Sequence, residues 1–75
     1  MNNSRRKQIK EIVSRLDELK TQIEDIQSAE GDSRDNIPES LCDSEMYSTS
    51  EDASESLGSA VDSIDEAVSS LEECL

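Results

Sequence analysis

The chain has 75 residues, a net charge of −12, one aromatic residue (Tyr47) and no histidine. So short a chain buries a small share of its surface and is marginal on its own. Without Phe or Trp, its core must come from Leu, Ile, Val and Ala, which suits helix seams and not a sandwich or a nucleotide-binding α/β domain. The lack of histidine excludes Ser/His/Asp and Cys/His nucleophilic sites and removes the commonest metal ligand.

The first predicted helix spans residues 4–30. Ile9, Ile12, Leu16, Leu19, Ile23 and Ile26 recur at alternating spacings of three and four, the signature of a heptad seam. Val13 widens the stripe, and the remaining positions are charged or polar. Asn2, Asn3 or Ser4 can cap the start, and Gly31 stands where a C-terminal stop belongs.

Residues 31–48 then read as a connection. It is long for a helix–helix turn and carries Ile37, Leu41, Met46 and Tyr47, which are expected to cover the closed end. Pro38 suits the first turn of a short helix over 38–46.

The second predicted helix spans residues 49–74, with Ser48 and Glu51 at capping-box spacing. Leu57, Val61, Ile64, Val68, Leu71 and Leu75 form its seam. Ala53, Ala60, Ala67 and Cys74 recur every seven residues beside it. A column of small residues lets another backbone approach closely.

Two helices of matched length joined once make an antiparallel αα-hairpin. The expected fold is therefore all-α: a single coiled-coil-like hairpin over residues 1–75. It is expected to assemble into a four-helix-bundle homodimer or a higher oligomer. The expected self-association seam is Ile9, Ile12, Leu16, Leu19, Ile23, Ile26, Leu57, Ala60, Val61, Ile64, Ala67, Val68 and Leu71. Charge favours the antiparallel pairing. Residues 1–29 carry six basic and five acidic side chains, residues 30–75 one and fourteen. Arg5, Arg6, Lys7 and Lys10 are expected beside Glu72 and Glu73.

Cys42 and Cys74 stand 32 residues apart, without zinc-site spacing, and are expected as free thiols. No metal or cofactor is expected, and Asp32, Asp35, Asn36 and Glu39 lack the ligand order of a calcium loop. Charges interrupt every apolar run, and no apolar stretch follows Arg5-Arg6-Lys7. Neither a membrane span nor a signal peptide is therefore expected, and the expected location is the cytoplasm.

The expected partner face is the array of acids on the second helix: Asp52, Glu55, Asp62, Asp65, Glu66 and Glu73, with Glu39, Asp43 and Glu45 extending it. Such an array can imitate a nucleic-acid backbone, or simply keep a small oligomer soluble. Direct binding of nucleic acid is disfavoured by the net charge.

The run Asp35-Asn36-Ile37-Pro38-Glu39-Ser40-Leu41, then Ser44-Glu45, then an alanine-heptad acidic helix ending Ser70-Leu71-Glu72-Glu73, resembles small acidic helical proteins encoded by phages and prophages of Firmicutes and gut bacteria. The opening Arg5-Arg6-Lys7-Gln8-Ile9 is similar to theirs as well. The resemblance implies a non-enzymatic protein that binds and inhibits a host or defence protein in the host cytoplasm. The alternatives are an oligomeric sponge holding a nucleotide signal in a basic inter-protomer pocket built on Arg5, Arg6 and Lys10, and a purely structural coiled-coil part.

Overall fold

A computed structural model describes residues 1–41 and 44–75. The described chain is two long helices laid against each other, 60 Å end to end and 15 by 11 Å across. Helix α1 runs Asn3–Asp35, a 3-10 turn occupies Glu39–Leu41, and helix α2 runs Glu45–Glu72. No strand occurs among the described residues. Cys42 and Asp43, read above as a free thiol and as part of the acidic field, lie outside the described residues.

Local chemistry sets the ends. The Asn2 side-chain oxygen accepts from the Arg5 N–H at 2.8 Å, satisfying one of the free donors of the first turn. At the other end of α1 the Asn36 amide donates to the Asp32 carbonyl at 3.1 Å. The Asn36 and Ile37 N–H groups close on Ser33 and Arg34, and Pro38 then forbids continuation. The Ser44 hydroxyl caps α2 by accepting from the Tyr47 N–H.

Both helices are longer toward the turn than their sequence signals suggest. Gly31 does not end α1, because it keeps a negative φ and the helix continues for one more turn. That turn carries Arg34 inward, where α2 supplies its hydrogen-bond partners. Extending α1 obliges α2 to start earlier to cover it, so Ser44, and not Ser48, is the cap. The connection shrinks from the expected 31–48 to residues 36–44. Among the described residues of the expected short helix over 38–46, Glu39–Leu41 form a 3-10 turn, and Glu45 and Met46 belong to α2. Covering of the closed end is partial: Ile37 and Tyr47 are half-buried, while Leu41 and Met46 are exposed.

Among the described residues no apolar side chain is buried; the one buried residue is Ser50, 7% exposed. The contact between helices is a strip of half-buried residues. On α1 these are Ile9, Val13, Leu16, Lys20, Ile23, Gln27, Glu30, Gly31 and Arg34. On α2 they include Ser50, Ser54, Leu57, Gly58, Val61, Ile64, Val68 and Leu71. The strip is apolar toward the free ends and polar toward the turn.

The two glycines differ in the space around them. A Cβ on Gly31 would meet nothing closer than the Arg34 guanidinium at 3.9 Å, whereas one on Gly58 would lie 3.1 Å from the Gln27 amide nitrogen. That amide is held by the Ser54 carbonyl. Replacing a helical Gly by Ala gains about 1 kcal/mol where there is room. Gly31→Ala is therefore expected to raise the thermal midpoint by several degrees, on the order of 4–8 °C per kcal/mol. Gly58→Ala is expected to gain less. Melting followed by far-UV circular dichroism checks the order of the two.

Candidate interaction surfaces

The hairpin presents four surfaces: the seam between its helices, a polar groove near the turn, an acidic face and a basic hollow near the free ends.

The seam divides the residues expected to share it. Ile9, Leu16 and Ile23 are half-buried against Leu57, Ala60, Val61, Ile64, Val68 and Leu71 on α2. Ile12, Leu19 and Ile26 are exposed, at 46%, 49% and 57%, and Ala67 is exposed as well. The second column inside the hairpin is Val13, Lys20, Gln27 and Arg34, again every seven residues. A two-helix contact covers roughly one narrow stripe, so widening toward Val13 leaves the Ile12 column outside.

The polar half of that column forms the tightest cross-helix chemistry. Arg34 donates from Nη1 to the Ser54 hydroxyl at 2.8 Å, to the Ser50 carbonyl at 3.2 Å and to the Ser50 hydroxyl at 3.5 Å. Gln27 donates to the Ser54 carbonyl at 2.9 Å. Small residues at 50, 54 and 58 let these long side chains lie across α2. Beside them Glu30, Ser33, Arg34, Ile37, Glu45, Met46, Thr49 and Ser50 line an open groove of about 480 Å³.

One ion pair forms among the described residues, Lys20 Nζ to Asp65 Oδ1 at 2.8 Å. The hydrogen bond to Asp65 and the carboxylate's charge hold the Lys20 ammonium above its ordinary pKa of 10.5, so the pair is intact at neutral pH. The contribution of the raised Lys20 value is present at neutral pH and is lost as the pH rises through it.

The acids expected to form a partner face, Asp52, Glu55, Asp62, Asp65, Glu66 and Glu73, are all exposed. Helix α2 carries eight acidic residues and no basic one; α1 carries eight acidic and seven basic. Arg5, Arg6, Lys7 and Lys10, expected beside Glu72 and Glu73, form no ion pair with them among the described residues. All six side chains are exposed, and water competes effectively for such groups. Instead Asn3, Arg6, Lys7, Lys10 and Leu75 line a hollow of about 420 Å³ at the free ends. It gathers Arg6 and Lys10 of the expected basic pocket, adds Lys7 and leaves Arg5 out.

Among the described residues no group of three His, Cys, Asp or Glu is placed to hold a metal ion. No helix among the described residues is long and apolar enough to cross a membrane, and Cys74 is a free, exposed thiol. Comparison with protein-family models, with curated proteins and with solved structures finds no match.

The sequence reading singled out neither Gln27, Ser50 and Ser54 nor the inward role of Arg34. The available signal was the seven-residue recurrence of Val13, Lys20, Gln27 and Arg34, which a search for apolar residues alone passes over.

Arg34→Ala removes the charged donor to two serines. Hydrogen bonds to charged groups contribute about 1.5–3 kcal/mol when enclosed. Arg34 is only half-buried, so a loss on the order of 1 kcal/mol is expected. Ser54→Ala should cost less, because the Gln27 bond to its carbonyl survives. Denaturant titration gives the magnitudes, and faster amide exchange confined to residues 45–54 would place the loss at the closed end.

Proposed function

We propose that this chain is a non-enzymatic interaction protein, a hairpin that completes its apolar core by association and keeps an acidic α2 face outward for a basic protein. The observation that carries this reading is the absence of any buried apolar side chain among the described residues, together with the exposed Ile12, Leu19 and Ile26. A chain with so little enclosed surface gains its stability by covering that column. The eight acids of α2 face no basic residue of their own helix, and only Asp65 has an ion-pair partner among the described residues. They support a basic binding partner, and with it an inhibitor that occupies a nucleic-acid groove on a host or defence protein.

The test replaces Glu55, Asp62 and Glu66 together by Lys and leaves the Lys20–Asp65 pair in place. Bacterial lysate is passed over the unaltered and altered chains at low salt. The unaltered chain is expected to retain basic DNA-binding proteins that duplex DNA displaces, and the altered chain to retain none, at unchanged helicity. The same proteins on both would overturn the acidic-face reading.

A second reading is favoured by the basic hollow of Arg6, Lys7 and Lys10. Three cations within one helical turn and a half suit a phosphate-bearing ligand, and a sponge for a nucleotide signal would use them. Binding raises the melting temperature by mass action. A cyclic dinucleotide is expected to stabilise the unaltered chain and not the variant Arg6→Ala/Lys10→Ala. The absence of any shift across mono- and dinucleotides would remove this reading.

A further inference from the structure

The exposed apolar column on α1 has a counterpart on α2. Ile12, Leu19 and Ile26 each follow the seam residues Ile9, Leu16 and Ile23 by three and precede Val13, Lys20 and Gln27 by one. On α2 and just past its end, Ala60, Ala67 and Cys74 follow Leu57, Ile64 and Leu71 by three, and the first two precede Val61 and Val68 by one. Antiparallel helices are related by a local two-fold axis perpendicular to the plane of the hairpin. Equivalent positions on the two helices therefore emerge on the same side of that plane. The cross-helix contacts set the register: Lys20 meets Asp65, Gln27 lies against Gly58 and Arg34 reaches Ser50 and Ser54. Each heptad up α1 is thus a heptad down α2. In that register Ile12 is about level with Cys74, Leu19 with Ala67 and Ile26 with Ala60. One side of the hairpin is a single apolar face with large side chains on α1 and small ones on α2.

We infer that this face is covered by a second copy of the chain, related by a two-fold axis parallel to the helices, so that α1 of each protomer lies on α2 of the other. This rests on the association half of the function proposed above and is independent of the acidic-face half. Two arrangements bring the faces of two copies together. A two-fold axis across the helices sets α1 on α1 and α2 on α2. It opposes large residues to large and small to small, which forces one helix pair apart while the other collapses. It also sets two helices of eight acids and no base against each other. The axis along the helices seats Ile12, Leu19 and Ile26 on Cys74, Ala67 and Ala60 of the partner. Volumes then interdigitate, and each acidic helix faces a helix carrying seven basic residues. Every neighbouring pair in the resulting four-helix bundle is antiparallel. Charge and size both select this arrangement, and both select a copy of the same chain, since the face is complementary to itself.

The experiment uses two single-cysteine proteins, Leu19→Cys and Ala67→Cys, each with Cys42→Ser and Cys74→Ser. They are oxidised separately and after being unfolded and refolded together. A disulfide requires Cα atoms roughly 4.4–6.8 Å apart, so only directly opposed positions join. The expected result is a covalent dimer in the mixture and none in either protein alone. Cross-linking of Leu19→Cys with itself, or none in the mixture, overturns the arrangement. Light scattering of the unaltered chain is expected to give twice 8.3 kDa. A mass of 8.3 kDa at every concentration would overturn both the arrangement and the association reading. Binding of basic proteins by the acidic face would still be scored by its own assay.

Discussion

Two helices in contact share one seam, and a seam has no interior. A side chain in such a contact touches the other helix on one side and water on another, which is why Leu57, Val61, Ile64 and Val68 are all half-buried and none is enclosed. The area removed from water is small, and at about 25 cal/mol per Å² it must offset the ordering of a long chain. The rest of the molecule follows from that shortage. The polar half of the seam, the exposed Ile12 column and the one-sided placement of charge are all answers to the question of what holds a hairpin that cannot enclose a core.

The polar half answers it with geometry. An apolar heptad seam is tolerant of sliding by seven residues, since Leu and Ile look alike at each step. Arg34 is not tolerant, because it bonds the hydroxyls of particular serines. A slip by a heptad would set Arg34 against Leu57 and Val61, whose side chains offer it no hydroxyl, and unpaired donors between packed helices are costly. Polar residues at seam positions commonly trade stability for a single register. Here they act beside the turn, where Asn36 and Pro38 already end α1, so the turn and the serine contacts specify the same alignment. The ion pair of Lys20 and Asp65 marks the same alignment at mid-length, although an exposed pair adds little energy.

The helical hairpin was legible in the sequence because apolar periodicity reports helix faces directly. Its element ends were not. Gly31 reads as a stop, yet a glycine ends a helix only when it turns left-handed, and here tertiary contacts from Arg34 keep it helical. On paper Ser48 is the better cap, with Glu51 at capping-box spacing where Ser44 has Tyr47. The choice fell to Ser44 because α2 had to match the extra turn of α1. The identity of the inner face was half legible. Ile9, Leu16 and Ile23 are half-buried within the hairpin, but the column beside them could be Ile12, Leu19 and Ile26 or Val13, Lys20, Gln27 and Arg34. Hydrophobicity alone favours the first, whereas within one chain the second wins, because its long polar side chains have partners on the small residues of α2. The acidic residues were readable as exposed; that only Asp65 forms an ion pair among the described residues was not, because Arg6, Lys7 and Lys10 line an open hollow with Asn3 and Leu75.

The charge distribution adds a condition that hydrophobicity does not. A helix with eight carboxylates and no cation repels copies of itself, so any assembly that buries the apolar face must keep α2 surfaces apart or place them against α1. Helix α1, with seven basic residues among eight acidic ones, is the neighbour that reduces this repulsion inside the hairpin, and it would do the same across protomers. Once both flanks of α2 lie against α1 helices, its remaining carboxylates point away from the assembly. Self-association of that kind would therefore not consume the acidic surface. It would gather two copies of it on one rigid rod, with spacing set by backbone packing and not by a flexible tail. That is the geometry a basic groove of matching length would recognise, and it links the missing core of the single hairpin to the surface through which it would act.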